Sequence, residues 1–359
     1  MKFTAFTGHS MNQMAWMAVS ESDINKDPRT NNDPLGENDN FYQSFAQLQY
    51  VRSIDTHSTL TTTAYYNRLD GTWGMFIAQP QLLTFNLSSN FYGLMSNYHY
   101  ETKKLNLNLG LHGNTYNRTH GGSLDSLKLY TNTGYKIDYS TYVKAGYTLG
   151  NFTLFTDLQL RSVSFRYVGD TTVPNLNWIF FNPKGGVTYK FSSHVNYYVS
   201  VGQNHREPTR SDMFGGYDNL STQANANLYP FANTSQRTII TPEQVIDYEL
   251  GSNLKFNKFS AQYNVYYMDF KNEITLLGAL GSNGLPLMTN VSKSYRSGVE
   301  LDMTYNLTKH FSLTNSSSLS HNRIQGDGKE YEPLLTPSII INQGVEYTYK
   351  GLCIGVGFK

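Results

Sequence analysis

The stretch NHREPTRSDMFGG sets Arg206, Glu207, Arg210 and Asp212 close together, directly after the alternating run VNYYVSVGQ. Charges and a proline at a strand end fit three chemistries: a catalytic cluster, a ligand-binding rim, or salt bridges that order a solvated loop. His205 adds a group that can donate or accept near neutral pH. A second candidate is YNRTHGGS, where Tyr116 and His120 enter a glycine pair that reads as a turn. A third is a set of alternating charges: Asp247, Glu249 and Lys255 in one run, Arg296, Glu300 and Asp302 in another. Paired carboxylates can hydrolyse glycosidic bonds. Here the charges recur every second residue, which reads as one wall of a sheet rather than a pocket. Ser318, Ser320 and His321 are the nearest approach to a nucleophile and base, and they read as ordinary strand residues, so no catalytic residue is assigned. Asp327 in GDG lacks the spaced acids of a calcium loop. The turn GSNG at 281–284 is followed by no helix and is not a phosphate cradle. No metal ligand set and no cofactor are assigned. The single cysteine, Cys353, excludes an internal disulfide.

The elements that carry these residues are strands. The chain has 359 residues, of which 28 are Tyr, 20 Phe and 29 Gly. That is a β composition. Only 15% of residues are charged and the net charge is +1, which argues against a nucleic-acid partner. Period-two alternation dominates. In EQVIDYELGSNLKF, Ile246, Tyr248, Leu250 and Leu254 share one face, and Asp247, Glu249, Asn253 and Lys255 the other. FSAQYNVYYMDF, YRSGVELDMTYNL and LNLNLGLHGN repeat the pattern. Short connections (DTHS, ETKK, LGN, SSH, NK, TKH, KG) alternate with long polar ones near 8–40, 69–90, 117–136, 168–177, 206–243, 271–292 and 325–337. The spacing predicts about fifteen strands of roughly ten residues, the length that spans a bilayer when tilted. The fold class is therefore all-β: an antiparallel transmembrane β-barrel with long loops on one side and short turns on the other. A mean hydropathy of −0.45 does not oppose this, because a barrel averages a lipid-facing and a water-facing row. Tyr66, Tyr100, Tyr139, Tyr147, Phe152, Tyr267, Tyr347 and Tyr349 fall where an interfacial girdle belongs. No stretch is apolar for long enough to form a membrane helix, and MKFTAFTGHSMNQMAW lacks the apolar centre of a signal peptide.

Several segments go beyond generic patterning. FNPKGGVTYKFSSHVNYYVSVGQNHREPTRSDMF (181–214), TPEQVIDYELGSNLKFNKFSAQYNVYYMDFKNEI (241–274) and TNVSKSYRSGVELDMTYNL (289–307) resemble, in that order, the barrel of TonB-dependent outer-membrane receptors. The NHREPTR form looks most like receptors of the Bacteroidetes. The resemblance is strong from 178 to 359 and looser before it. It implies an outer-membrane location in a Gram-negative cell and transport rather than enzymatic activity. The cargo it implies is a ferric siderophore; haem, cobalamin and oligosaccharides are the other cargoes of the family. It implies as partners the TonB–ExbB–ExbD complex, acting through a plug domain, and the barrel-assembly machinery and lipid of the outer membrane. It also places Tyr116, His120, His205, Arg206, Glu207 and Arg210 at a ligand vestibule, where cationic groups suit anionic cargo. The wall of Asp247, Glu249, Lys255, Arg296, Glu300 and Asp302 then faces the plug. Family barrels have 22 strands. The resemblance covers roughly strands five to nineteen, so residues 1–359 are expected to be one barrel domain incomplete at both ends, without plug or TonB box. The alternatives are a barrel enzyme and a passive porin.

Overall fold

A computed structural model describes all residues except 16, 34, 172, 221–239, 281–285 and 327. GSNG, Asp327 and most of the connection after Arg206 therefore lie outside the described residues. The strands are β1 (Lys2–Gln13), β2 (Asn38–Ser53), β3 (Ser58–Ala78), β4 (Gln81–Glu101), β5 (Leu105–Leu124), β6 (Leu127–Leu149), β7 (Phe152–Val168) and β8 (Leu176–Lys190). They continue as β9 (Val195–Arg206), β10 (Glu243–Lys255), β11 (Phe259–Leu280), β12 (Pro286–Asn306), β13 (Phe311–Gly326), β14 (Lys329–Tyr331), β15 (Ile339–Tyr349) and β16 (Leu352–Phe358). Two short helices, α1 (Glu21–Lys26) and α2 (Arg210–Phe214), sit in connections at the long-loop end.

All sixteen strands form one sheet whose path follows chain order, with β14 off it and paired only to β13. Fifteen strands thus form the antiparallel path, as the alternation predicts. The length of the strands differs from the expectation: β6 alone runs 23 residues. Residues 69–90 are almost wholly the ends of β3 and β4, and 117–136 the ends of β5 and β6, each pair closed by a tight hairpin. Beyond the apolar belt both faces meet water, so hydrophobic alternation fades while backbone pairing continues. That is why those paired ends read as loops. β1 and β16 end the path and, among the described residues, do not pair with each other. A strand edge in hydrocarbon has no water to satisfy its backbone, so each edge needs a partner there.

The register explains the two-faced composition. Tyr147, Leu154, Val187, Val199, Leu250, Val265, Val299, Leu319 and Ile339 stand directly opposite one another in turn, a single apolar rung from β6 to β15. Apart from Val187 its members are 41–62% exposed. A continuous apolar row of this size is not left in water. Aromatic rings border the belt. Tyr248, Tyr267 and Tyr295 lie together toward the long-loop end, with ring centroids 6.4 and 5.9 Å apart along the series. Phe152 with Tyr189, Phe259 with Tyr305 and Phe311 with Tyr347 lie at the short-turn end. On β12, Tyr305 to Tyr295 spans about 33 Å along the strand. A tilt of about 40° reduces this to about 25 Å, the height of a barrel's lipid-facing band. Past the upper ring the same face turns charged, with Asp269, Lys271, Lys293 and Arg323.

The polar face has its own device. The glycines of NPKGG, YELG and RSGVELD, at 186, 251 and 298, each lie beneath a ring from a neighbouring strand. A Cβ on Gly251 would stand 2.5 Å from both Tyr198 Cζ and the Tyr263 carbonyl oxygen. One on Gly298 would stand 2.6 Å from Tyr266 Oη. Because backbone blocks the site as well as the ring, Gly251→Ala is expected to destabilise the barrel by about 1–3 kcal/mol. Urea unfolding of the variant in detergent reads this, and an unchanged midpoint refutes it.

Candidate functional site

The segment after β9 turns back over the polar face instead of standing free. Its sequence dictates the turn. Thr209 caps α2, and Thr209 and Asp212 form a capping box. Gly215 closes the helix at φ 57°, in the left-handed region that glycine adopts without strain. The helix directs Met213 and Phe214 into an apolar cluster with Phe165, Tyr167, Val173, Leu176 and Leu220. Phe214 is fully buried and packs edge-on against Phe165 and Tyr167. Gly215 lies against Leu287 at the start of β12. The sequence signal for this helix was the TRSD spacing followed by two glycines.

Three charge networks hold the segment. Glu207, only 5% exposed, accepts from Lys136 Nζ at 2.5 Å and from Arg161 Nη1 and Nη2 at 2.8 and 2.9 Å. Arg161 also donates to Asp138 from Nη2 at 2.6 Å. Burial alone would raise the Glu207 carboxyl, but the hydrogen bonds from Arg161 and Lys136 outweigh it and hold the group below its ordinary range. In the second network Arg210 Nη2 donates to Asn132 Oδ1 at 2.9 Å and to the Asp218 carbonyl at 2.5 Å. Its guanidinium stacks over Tyr167 and Phe214. Burial lowers the Arg210 pKa. His120 Nδ1 lies 3.2 Å from Asp218 Oδ1, and Tyr130 Oη donates to the same carboxylate. For Asp218, burial acts upward, and His120 and Arg210 reverse it to a net lowering. In the third, Arg206 forks to Glu243 at 2.7 and 3.2 Å and touches Asp212 at 3.4 Å.

The sequence candidates therefore separate. Arg206 is 44% exposed, with its charge matched at the rim. Glu207 is a buried structural anchor. His205 stacks on Phe180 and its Nδ1 lies 2.8 Å from Asn182 Oδ1. Tyr116 and His120 are not in a turn: β5 runs through both, and their face is that of Asn132 and Lys136. Arg210 and His120 come together, which spacing did not foretell. Lys136, Arg161 and Arg118 were missed, because each comes near the segment only through cross-strand register, and Asp138 because it acts through Arg161.

The charged wall is placed on the same polar face. Glu249 accepts from Lys184 and Ser200 at 3.2 and 2.9 Å. Arg296 donates to Glu273 at 2.5 Å. Asp247, Lys255, Glu300 and Asp302 occupy the matching register positions. Ser318 and Ser320 point to the opposite side of β13 from His321, so they cannot form a dyad with it. Among the described residues, no group of three or more His, Cys, Asp or Glu is placed to hold a metal ion.

Comparison with known proteins adds three findings. A family model described as "TonB dependent receptor-like, beta-barrel" matches residues 3–350. No curated protein matches. Among solved structures, the ferric citrate transporter FecA is similar with a TM-score of 0.75 at 14% identity, over 99% of this chain and 54% of that one. The copper transporter OprC gives 0.72 at 16%, over 87% and 51%. The ferric yersiniabactin uptake receptor FyuA from Yersinia pestis gives 0.70 at 13%, over 96% and 53%. At these identities the likeness is one of fold, and the chain spans about half the length of each structure.

Proposed function

The chain belongs to the TonB-dependent receptor β-barrel family, and on that premise we propose that it forms part of an outer-membrane receptor importing a ferric siderophore in a Gram-negative cell. The observation that carries the proposal is the two-faced sheet. An exposed apolar rung bordered by aromatic rings suits lipid, and the opposite face carries, at its long-loop end, a folded segment held by Arg, Lys and carboxylate groups. Two of the similar structures are named for ferric ligands, which favours iron over copper as the cargo class. His205, Arg206, Glu207, Arg210, His120 and Tyr116 then belong to the vestibule, with Arg206 and Glu207 shaping it and Arg210 and His120 nearest the cargo. The wall from Asp247 to Asp302 faces the plug, through which the TonB–ExbB–ExbD complex supplies energy. Lipid and the barrel-assembly machinery are the remaining partners.

Deletion of the gene is expected to abolish uptake of at least one ferric siderophore by an iron-starved host, with restoration on complementation. Radiolabelled iron uptake across a panel of ferric siderophores measures it. Unchanged uptake of every member refutes the iron reading.

A further inference from the structure

Three buried nitrogens at the folded segment lack hydrogen-bond partners: Arg118 Nε, His120 Nε2 and Arg210 Nη1. They are neighbours. Arg118 and His120 sit two apart on the polar face of β5, opposite Gly134 and Asn132 of β6. Arg210 lies across that pair: its Nη2 bonds Asn132, and its Nη1 is 3.9 Å from the point a Cβ on Gly134 would occupy. The Arg118 guanidinium rests over Tyr116 at 5.4 Å.

The charge around them does not balance. Asp138 and Glu207 are taken up by Arg161 and Lys136, and Asp218, which His120 contacts, acts on Arg210 without an ion pair. Among the described residues, neither Arg118 nor Arg210 has a carboxylate within ion-pair distance. The adjoining stretch 221–239, STQANANLYPFANTSQRTI, contains no Asp or Glu and cannot supply one. Two partly buried guanidiniums with no carboxylate in ion-pair contact are costly, since removing a charge from water is repaid only by a close partner. Guanidinium forks fit planar oxyanions with paired hydrogen bonds.

We propose that Arg118 and Arg210, flanked by His120, form a binding site for one oxyanionic group, a carboxylate or phosphate, of a molecule entering the polar face. His120 Nδ1 is engaged by Asp218, which leaves Nε2 as the ring nitrogen without a partner. A Cβ on Gly134 would come into ordinary contact with Phe165 at 3.4 Å and Arg210 Nη1 at 3.9 Å, so a longer side chain there would crowd the guanidinium. The inference rests on the reading of this face as the ligand side, and narrows it to one defined subsite.

The test is thermal unfolding of the protein purified in detergent, with added citrate, inorganic phosphate or sodium chloride at matched ionic strength. Citrate or phosphate should raise the unfolding temperature of the wild type by mass action, and chloride should not. Arg118→Gln should lose that rise, with at least tenfold weaker binding of the same anion by calorimetry. Arg118→Lys keeps the charge without the fork and should fall between. Lys293→Gln, on the apolar face, should behave as wild type. Arg118→Gln removes an unmatched charge, so without added anion it should unfold no earlier than wild type. Equal rises in the wild type and Arg118→Gln, or no rise with either anion, overturn the proposal. Those results leave iron uptake by cells as a separate question, answered by the gene deletion.

Discussion

Replacing Glu207 with alanine is expected to cost about 3–5 kcal/mol, the range for removing one partner of a buried ion pair. Three charged groups depend on this carboxylate. Lys136 and Arg161 both donate to it, and Arg161 also carries Asp138. Without Glu207, Lys136 loses its partner and Arg161 keeps only Asp138. Arg206→Ala one residue earlier should cost less than about 1 kcal/mol, because its side chain is 44% exposed at the rim, where solvent screens its charge. The contrast separates position from chemistry. Urea unfolding in detergent measures both, and trypsin cleavage at Arg206 and Arg210 reports whether the segment has lifted. Acid supplies a second arm. The Glu207 carboxyl is held below its ordinary pKa, so its contribution is complete above that ordinary range and is lost as pH falls through the lower folded value. The wild-type segment should lift on acidification below the carboxylate range, and in Glu207→Ala that pH response should shrink to the part Asp218 supplies. Equal stability of the Ala variants at 206 and 207 refutes the anchor.

NHREPTR thus divides residue by residue. Its charges do not form one cluster. Arg206 points along the rim to Glu243, Glu207 dives to β6 and β7, and Arg210 crosses to β6. Adjacent residues in this sequence serve three different neighbours, because the chain leaves a strand and enters a capped helix within four residues. What was legible is what has a period. Alternation every second residue located the strands, and the rhythm of DTHS, ETKK and LGN located the short-turn end. The capping box TRSD was legible too, yet it lay inside a stretch that read as loop. The partners were not legible. Lys136 and Arg161 lie 71 and 46 residues from Glu207, and only the register of β6 with β7 sets them together. Likewise Gly251 and Gly298 were visible as motif glycines, but the rings above them belong to β9 and β11. The polar ends of β3 to β6 show the converse error. Thr, Asn, Gly and Ser marked water contact correctly and pairing wrongly, since a strand solvated on both faces needs no apolar row.

The sharpest consequence of the two faces is an asymmetry between Val299 and Gln262. Val299 stands mid-belt on β12 and is 45% exposed, opposite Val265 and Leu319. If both faces met water, Val299→Arg would matter little, because an exposed side chain tolerates charge within about 0.5 kcal/mol. If the rung meets hydrocarbon, the same change should cost about 2–4 kcal/mol near the midplane. Gln262→Arg on β11 lies on the polar face opposite Asp302, where an added cation gains a partner. It should change stability by less than about 1 kcal/mol in either medium. Folding into lipid vesicles across a urea series measures both, with detergent as the less ordered reference. The expected order is a large loss for Val299→Arg and almost none for Gln262→Arg. Parity between them would place water on both faces, and the apolar rung would then need a protein partner instead of lipid. The experiment thus tests the premise on which the vestibule, the plug-facing wall and the oxyanion site all depend: that one face of this sheet is lipid's and the other is the cargo's.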